Sequence, residues 1–319
     1  MRGLKECTVR GATVVWMLAL ALLGALGGSS FAIAADPTPA APSLPLPEPQ
    51  EGPLDAEALA AIDLTTLDTF TFNLNFARAI YAEGQKQSAN AQVFSKVGDC
   101  MVSSESFLTP FAKDGYELAE FASLQAVINH FNVPIRESGE TAFNVVSLAA
   151  ASGFNAAAVL DATWSDPTLC GVEESPLACE YRISKPTFAL LMFGTNDLKS
   201  LTPEQFDFYL RKVLVQTANA GIVPIVFTFP NQPGYIEQSV FFNRIVVQAA
   251  QDYALPLVNL WRSFEPLPNQ GIDPTEPTHM TKPPSGKVAS FSSEDLQGGH
   301  NVHNLLALQA LDTLWQALK

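Results

Sequence analysis

The chain has 319 residues, of which 47% are hydrophobic and 16% charged, so it can bury a sizeable core and is not a disordered protein. Its length fits one large domain or two small ones. The formal net charge of −14 argues against nucleic-acid binding, which needs clustered basic residues, and against electrostatic attachment to anionic membranes.

Residues 1–35 have the pattern of a signal peptide. Three basic residues in the first ten precede an apolar run over residues 14–27, and Ala32 and Ala34 offer the small side chains of a cleavage site. The run is shorter than the about 20 residues of a membrane-spanning helix. We therefore expect a secreted or otherwise extracytoplasmic protein, in contact with a membrane only if this segment stays uncleaved as an anchor.

Residues 36–55 are rich in proline and predict a stiff, extended linker, because such a stretch cannot bury a core. A single folded domain is then expected over residues 56–319.

The cysteines can be counted after cleavage, which removes Cys7 and leaves three. In an oxidising compartment one of them remains unpaired. Cys170 and Cys179 lie nine residues apart in a loop-like stretch, so pairing them closes a short loop at little entropic cost. We expect this disulfide and a free Cys100, although the sequence also permits the other two pairings.

Four continuous apolar runs predict strands that are buried on both faces, as in a parallel sheet. Amphipathic helical patterns separate or follow them, including one that begins at Thr202-Pro203 and one that closes the chain. This alternation predicts a doubly wound, mainly parallel sheet in a three-layer α/β/α domain. Ligands of such sheets bind at the carboxyl ends of the strands. The runs are 93–97, 188–193, 222–229 and 257–260.

Short motifs follow two of these strands. Gly98-Asp99-Cys100 ends the first, and Gly194-Thr195-Asn196-Asp197 ends the second; each alone is typical of a turn. Together with Gly153 between them and Glu276-x-x-His279 after them, they resemble the four motif blocks of the SGNH (GDSL-type) hydrolases over residues 90–285. The stretch 174–181 is similar to an exported bacterial subgroup. The resemblance implies an SGNH-hydrolase or flavodoxin-like domain.

The resemblance also implies catalytic roles. Cys100 occupies the nucleophile position, where a helix N-terminus would lower the pKa of a thiol. His279 would be the general base and Glu276 would orient it. The amides of Cys100, Gly153 and the Asn196 side chain would form an oxyanion hole.

Two carboxylates of the motifs, Asp99 and Asp197, are expected to support the turn and the loop that carry these groups. Asp273 is a second candidate for orienting the base. His300, which precedes the closing helix, is a rival general base. Ser103 and Ser104 follow the nucleophile position but are expected to point elsewhere.

The family pattern has serine where this chain has Cys100. A thiolate can perform acyl transfer with the same machinery, but a small buried cysteine can also fill the space of a serine in an inactive relative. The prediction is an exported hydrolase of acyl esters, with acetylated carbohydrate as a candidate substrate and no cofactor or metal. The alternative is a non-catalytic protein of the same fold that binds glycans or envelope components. His300 and His303 with Asp295 could hold a metal, but the polar surface of a helix start explains them better.

Overall fold

A computed structural model describes residues 42–319, so the predicted signal peptide and the first part of the proline-rich stretch lie outside the described residues. A five-stranded sheet runs through this part of the chain in the order β1-β5-β4-β3-β2. All neighbours are parallel except β1, which pairs antiparallel with β5. The strands are β1 (Phe70–Thr71), β2 (Asn90–Gly98), β3 (Pro186–Met192), β4 (Val223–Phe227) and β5 (Leu257–Val258).

The α-helices of the described residues stand between and after the strands. They are α1 (Ala56–Ala61), α2 (Leu74–Lys86), α3 (Cys100–Ser103), α4 (Gln125–Phe131), α5 (Pro176–Ser184), α6 (Asp197–Ser200), α7 (Pro203–Asn219), α8 (Ile236–Asp252), α9 (Leu260–Phe264) and α10 (Gly299–Leu318). Helix α7 starts where the sequence predicts, because Thr202 and Gln205 form a reciprocal capping box in front of a first-turn proline.

Helices cover both faces of the sheet. On one side α7 packs against α8, and Tyr181 of α5 is hydrogen-bonded to Thr217 of α7 at 2.8 Å. On the other side α10 packs against α2 and α4. All seven residues of β3 are consequently buried, as a continuous apolar run predicts. The three-layer α/β/α prediction is confirmed.

The sheet has one point at which the strand order reverses. Beyond β2 the next segment of chain forms a single parallel bridge, from Gly98 to Ala150, while β3 lies on the other side of β2. A crevice opens at such a switch point, outside the carboxyl ends of the two strands. Gly98 and Met192 are paired in register, so β2 and β3 end together at this edge.

The proline-rich stretch packs against the domain earlier than the sequence predicts. Leu46 is buried, its amide donates to Asn219 Oδ1 at 2.6 Å, and the Asn219 side chain donates back to the Leu46 carbonyl at 3.0 Å. The two hydrogen bonds satisfy the backbone N–H and C=O groups of Leu46, which have no neighbouring strand to pair with. The packed part of the chain therefore includes residues that we assigned to the linker.

The predicted disulfide between Cys170 and Cys179 is confirmed, with 5.4 Å between the two Cα atoms. Cys100 is buried and forms no disulfide within residues 42–319. None of the helices in these residues is both long enough and apolar enough to cross a membrane.

Candidate active site

Cys100 lies just after the end of β2, at the crevice. Gly98 has a φ of +156°, and a Cβ on it would collide with the Met192 carbonyl, so the tight turn requires glycine. Asp99 then caps the following turn by accepting a hydrogen bond from the Met101 amide at 2.9 Å. Cys100 is thereby held as the first residue of α3, at the switch point of the sheet.

The Cys100 thiol is buried and neutral. Its Sγ donates a hydrogen bond to the main-chain carbonyl of Thr278 at 3.2 Å. Burial raises the pKa of Cys100 to about 12, and the neighbouring charge of Asp99 adds to this effect. The expectation of a lowered thiol pKa is wrong. Because α3 is only one turn long, the effect of its N-terminus is small, and the loss of water around the sulfur outweighs that effect.

His279 and Glu276 form the pair that the motif predicts. His279 Nδ1 lies 2.6 Å from Glu276 Oε2, and both side chains are substantially exposed. Asp273 instead accepts from the amide and hydroxyl of Thr275, at 2.8 and 2.7 Å. Glu276 is therefore the carboxylate that contacts the imidazole, and Asp273 shapes the turn that carries it. His279 Nε2 makes no hydrogen bond within residues 42–319.

The loop that carries this pair is closed at its base and attached to α10. Asp273 donates its amide to the His279 carbonyl at 3.0 Å, and Ile272 bridges Met280 antiparallel. The His300 amide then donates to the Thr281 carbonyl at 3.1 Å. The position of His279 is thus set by the start of the last helix.

A cavity of about 510 Å³ lies in front of His279, and we call it the His279 cavity. The loop residues 273–282 form one side of it, and Ser104 and Ser106 line another. The expectation that Ser104 points elsewhere is therefore wrong, because the chain turns out of α3 at this residue. Cys100 is not among the lining residues; its sulfur reaches the loop at the Thr278 backbone.

His300 also lines the His279 cavity, but it is buried and its Nδ1 has no hydrogen-bond partner among the described residues. The pKa of His300 is lowered to about 4, mainly by burial and in smaller part by the nearby Lys282 and His279. Such an imidazole stays neutral at physiological pH and has no carboxylate to orient it. His279, which has one, is the better-equipped base.

His303 has a packing role. Its ring stacks on Phe107 with 4.0 Å between centroids, and Phe227 approaches it edge-on at 5.6 Å. Asp295 is hydrogen-bonded to Ser285 and Ser292 rather than to either histidine. These three side chains therefore do not converge as metal ligands would. In the described part of the chain, the side chains of metal-binding type that do cluster are Cys170, Glu174 and Cys179, and the two sulfurs there are joined in the disulfide.

The end of β3 is tied to residues 154–156 by two neighbouring side chains. Asp197 accepts from the Gly194 amide at 2.8 Å and from the Ala156 amide at 2.7 Å. Asn196 donates its side-chain amide to the Phe154 carbonyl at 2.8 Å. Asp197 is fully buried, which raises its pKa to about 7.

The same segment is tied to β2. Gly98 donates to the Ala149 carbonyl at 3.0 Å, and the Ala151 amide donates back to Gly98 at 3.2 Å. Gly153 follows in a turn with φ of +88°. The segments that carry the three candidate oxyanion donors are thus joined to one another, and Asn196 retains a second amide hydrogen for a ligand.

No protein-family model matches this sequence, and no curated protein matches it. Solved structures resemble it at low identity. TesA has 16% identity and a TM-score of 0.44, over 70% of this chain and 99% of TesA. The acetylxylan esterase of Geobacillus stearothermophilus has 17% identity and a TM-score of 0.43, over 68% of this chain and 93% of its own. A GDSL-like lipase from Bacteroides thetaiotaomicron has 12% identity and a TM-score of 0.39, over 75% and 98%. The assignment of function therefore depends on the geometry of the site.

Proposed function

We propose that the protein is an exported SGNH-type hydrolase that acts on acyl esters, with Cys100 as nucleophile, His279 as general base and Glu276 as the residue that orients the base. The observation that carries this proposal is the Glu276–His279 pair, with 2.6 Å between Oε2 and Nδ1. On the same loop, the carbonyl of Thr278, the residue before His279, accepts a hydrogen bond from the Cys100 sulfur at 3.2 Å. These two contacts support an arrangement in which base, orienting carboxylate and nucleophile act together at the end of β2.

The raised pKa of Cys100 determines how the reaction would proceed. A resting thiolate is disfavoured, so the proton leaves during attack, as it does from a serine. Sγ turns from the Thr278 carbonyl toward His279 Nε2, gives up its proton there and bonds to the ester carbonyl carbon. Glu276 holds the Nδ1–H and stabilises the imidazolium. His279 then gives the proton to the leaving alkoxide.

The negative oxygen of the intermediate would be held by the amides of Cys100 and Gly153 and by the second amide hydrogen of Asn196. Such donors contribute about 10²–10³ each in rate. Water, deprotonated by His279, would finally hydrolyse the thioester and return the thiol.

The chemistry of the His279 cavity favours a hydroxyl-rich substrate. Side chains that can exchange hydrogen bonds with hydroxyl groups line it, among them Ser104, Ser106, Thr275 and Lys282. An acetylated carbohydrate would satisfy them better than the alcohol half of a lipid would. The net charge of −14 disfavours a polyanionic substrate.

The test is the hydrolysis of a chromogenic acetyl ester by the mature protein and four variants, one of which is a control. We expect activity in the parent, activity in Cys100→Ser, and loss in Cys100→Ala and His279→Ala. Ser103→Ala, an exposed neighbour on α3 outside the cavity, is the matched control and should retain activity. If the parent and Cys100→Ser are both inactive while folded, the esterase proposal fails. Export is tested separately by the mass of the mature chain, which should begin at Ala35 or Asp36.

One observation favours a second candidate, a non-catalytic protein of this fold that binds glycans or envelope components. The neutral, buried thiol of Cys100 resembles a side chain that fills space. This candidate predicts no ester hydrolysis by any of the variants.

A further inference from the structure

A second cavity lies on the Gly153 side of the crevice, and we call it the Trp164 cleft. Its volume is about 560 Å³, and Gly153, Asn155, Asp161, Trp164, Tyr209 and Lys212 are among the residues that line it. None of them belongs to the His279 cavity. Trp164 is 62% exposed, which is unusual for a side chain with so much apolar surface.

The backbone that carries the exposed Trp164 ring is braced by hydrogen bonds. Trp164 is the last residue of a short 3₁₀ helix, which Asp161 caps by accepting a hydrogen bond from the Thr163 amide at 2.9 Å. The next residue, Ser165, donates its hydroxyl to the Glu174 carbonyl. Glu174, which lies in the loop that the disulfide closes, is itself paired with Arg182 of α5 at 2.7 Å. An aromatic side chain on such a braced loop is already ordered before a ligand arrives, which reduces the entropic cost of binding.

Phe154 connects this cleft to the candidate oxyanion hole. Its ring meets the Trp164 ring edge to face, with 6.3 Å between centroids, while its carbonyl accepts the Asn196 side-chain amide at 2.8 Å. Gly153, the preceding residue, lines the cleft and is also a candidate oxyanion donor. A ligand that fills the cleft would therefore have one end next to Gly153, one of the candidate oxyanion donors.

The lining combines an aromatic ring with groups that exchange hydrogen bonds. The face of an indole ring attracts the weakly positive C–H groups of a sugar, while Asn155, Asp161, Tyr209 and Lys212 can bind hydroxyl groups. The lining contains one acidic and one basic side chain, so it does not select a charged polymer. A neutral sugar chain matches this combination.

We propose that the Trp164 cleft binds a neutral oligosaccharide, with Trp164 as the platform on which one sugar ring stacks. The proposal rests on the proposed function only in the placement of the acyl-bearing sugar, next to Gly153. Binding of the oligosaccharide itself does not require catalysis and can be measured without it.

The experiment uses the mature chain carrying Cys100→Ala, which removes the nucleophile. Xylohexaose, cellohexaose and chitohexaose are titrated by calorimetry and by tryptophan fluorescence. We expect at least one to bind with a change in indole emission. Trp164→Ala should weaken that Kd about tenfold or more, the effect of deleting an aromatic anchor. Trp164→Phe, which keeps a ring, should bind more tightly than Trp164→Ala.

Val172→Ala is the control, because Val172 is 97% exposed in the disulfide-closed loop next to Trp164 and does not line the cleft. Its Kd for the hexaoses should equal that of the chain that carries Cys100→Ala alone. The proposal is overturned if none of the three hexaoses binds, or if Trp164→Ala binds them as the parent does. It is also overturned if Trp164→Ala only abolishes self-association of the chain, which would make the exposed ring a protein interface.

The two proposals fail in different ways. Hexaose binding with no hydrolysis of small acetyl esters by the parent would refute the esterase and leave the cleft assignment intact. Ester hydrolysis with no hexaose binding would refute the cleft assignment alone.

Discussion

Asp197 holds the candidate oxyanion segments together, and its removal should be costly. Both carboxyl oxygens are engaged, one by the Ala156 amide at 2.7 Å and the other by the Gly194 amide at 2.8 Å, and the side chain is fully buried. Asp197→Ala leaves two buried N–H groups without an acceptor, at about 1–3 kcal/mol each. We therefore expect the free energy of unfolding to fall by about 2–6 kcal/mol.

The assay is urea unfolding at pH 4, close to the ordinary aspartate pKa of 3.8 and well below the Asp197 pKa of about 7. Protonation of Asp197 on folding then costs only about 0.5 kcal/mol and does not mask the loss of the two hydrogen bonds. Asp166→Ala is the matched control, because Asp166 also accepts from an amide and a hydroxyl, those of Thr168, but is exposed. Water can replace it, so its loss should cost less than about 1 kcal/mol. If Asp197→Ala loses no more stability than Asp166→Ala, the assignment of Asp197 as a structural tie is refuted.

Two further predictions concern buried groups that titrate. His303 is fully buried and its pKa lies well below the ordinary value, so the unfolded chain gains a proton below pH 6.5 that the folded chain does not, and stability is lost as the pH falls. The difference in unfolding free energy between His303→Leu and the parent should therefore shift in favour of the variant when the pH is lowered from 8 to 5, and an unchanged difference in urea titrations would contradict this. The neutral Cys100 thiol should react with iodoacetamide at pH 7.5 at least about 100-fold more slowly in the native protein than in urea, because only a thiolate attacks. Fast native labelling, followed by mass spectrometry, would show that the sulfur is ionised after all.

The local pattern of the sequence predicted the architecture well. A continuous apolar run such as 188–193 can be buried on both faces only in a sheet covered by helices, and the turn residues after it could be identified without a structure. The disulfide could also be expected from the sequence, because pairing two cysteines nine residues apart in a loop has a small entropic cost. The strands, the turns and the disulfide depend on residues close together in the sequence or on hydrophobic periodicity, and both are visible in the sequence itself.

The candidate site was predictable only in part. The motif spacing indicated His279 and left Glu276 and Asp273 as alternatives, because the path of a loop with two prolines does not follow from composition. Contacts decide between them, since Glu276 reaches the imidazole and Asp273 caps its own turn. Ser104 and Trp164 had no sequence signal of their own, because their side chains matter through the cavities that distant segments form.

The sequence by itself determined the four parallel strands, their burial on both faces and the residue types that follow them, because these features follow from hydrophobic periodicity and turn chemistry. The strand order and the antiparallel edge strand β1 depend on tertiary pairing. Only the tertiary structure decided the ionisation of Cys100, Asp197 and His303. Each pKa depends on how much water the surrounding chain removes, and that burial comes from segments far apart in the sequence.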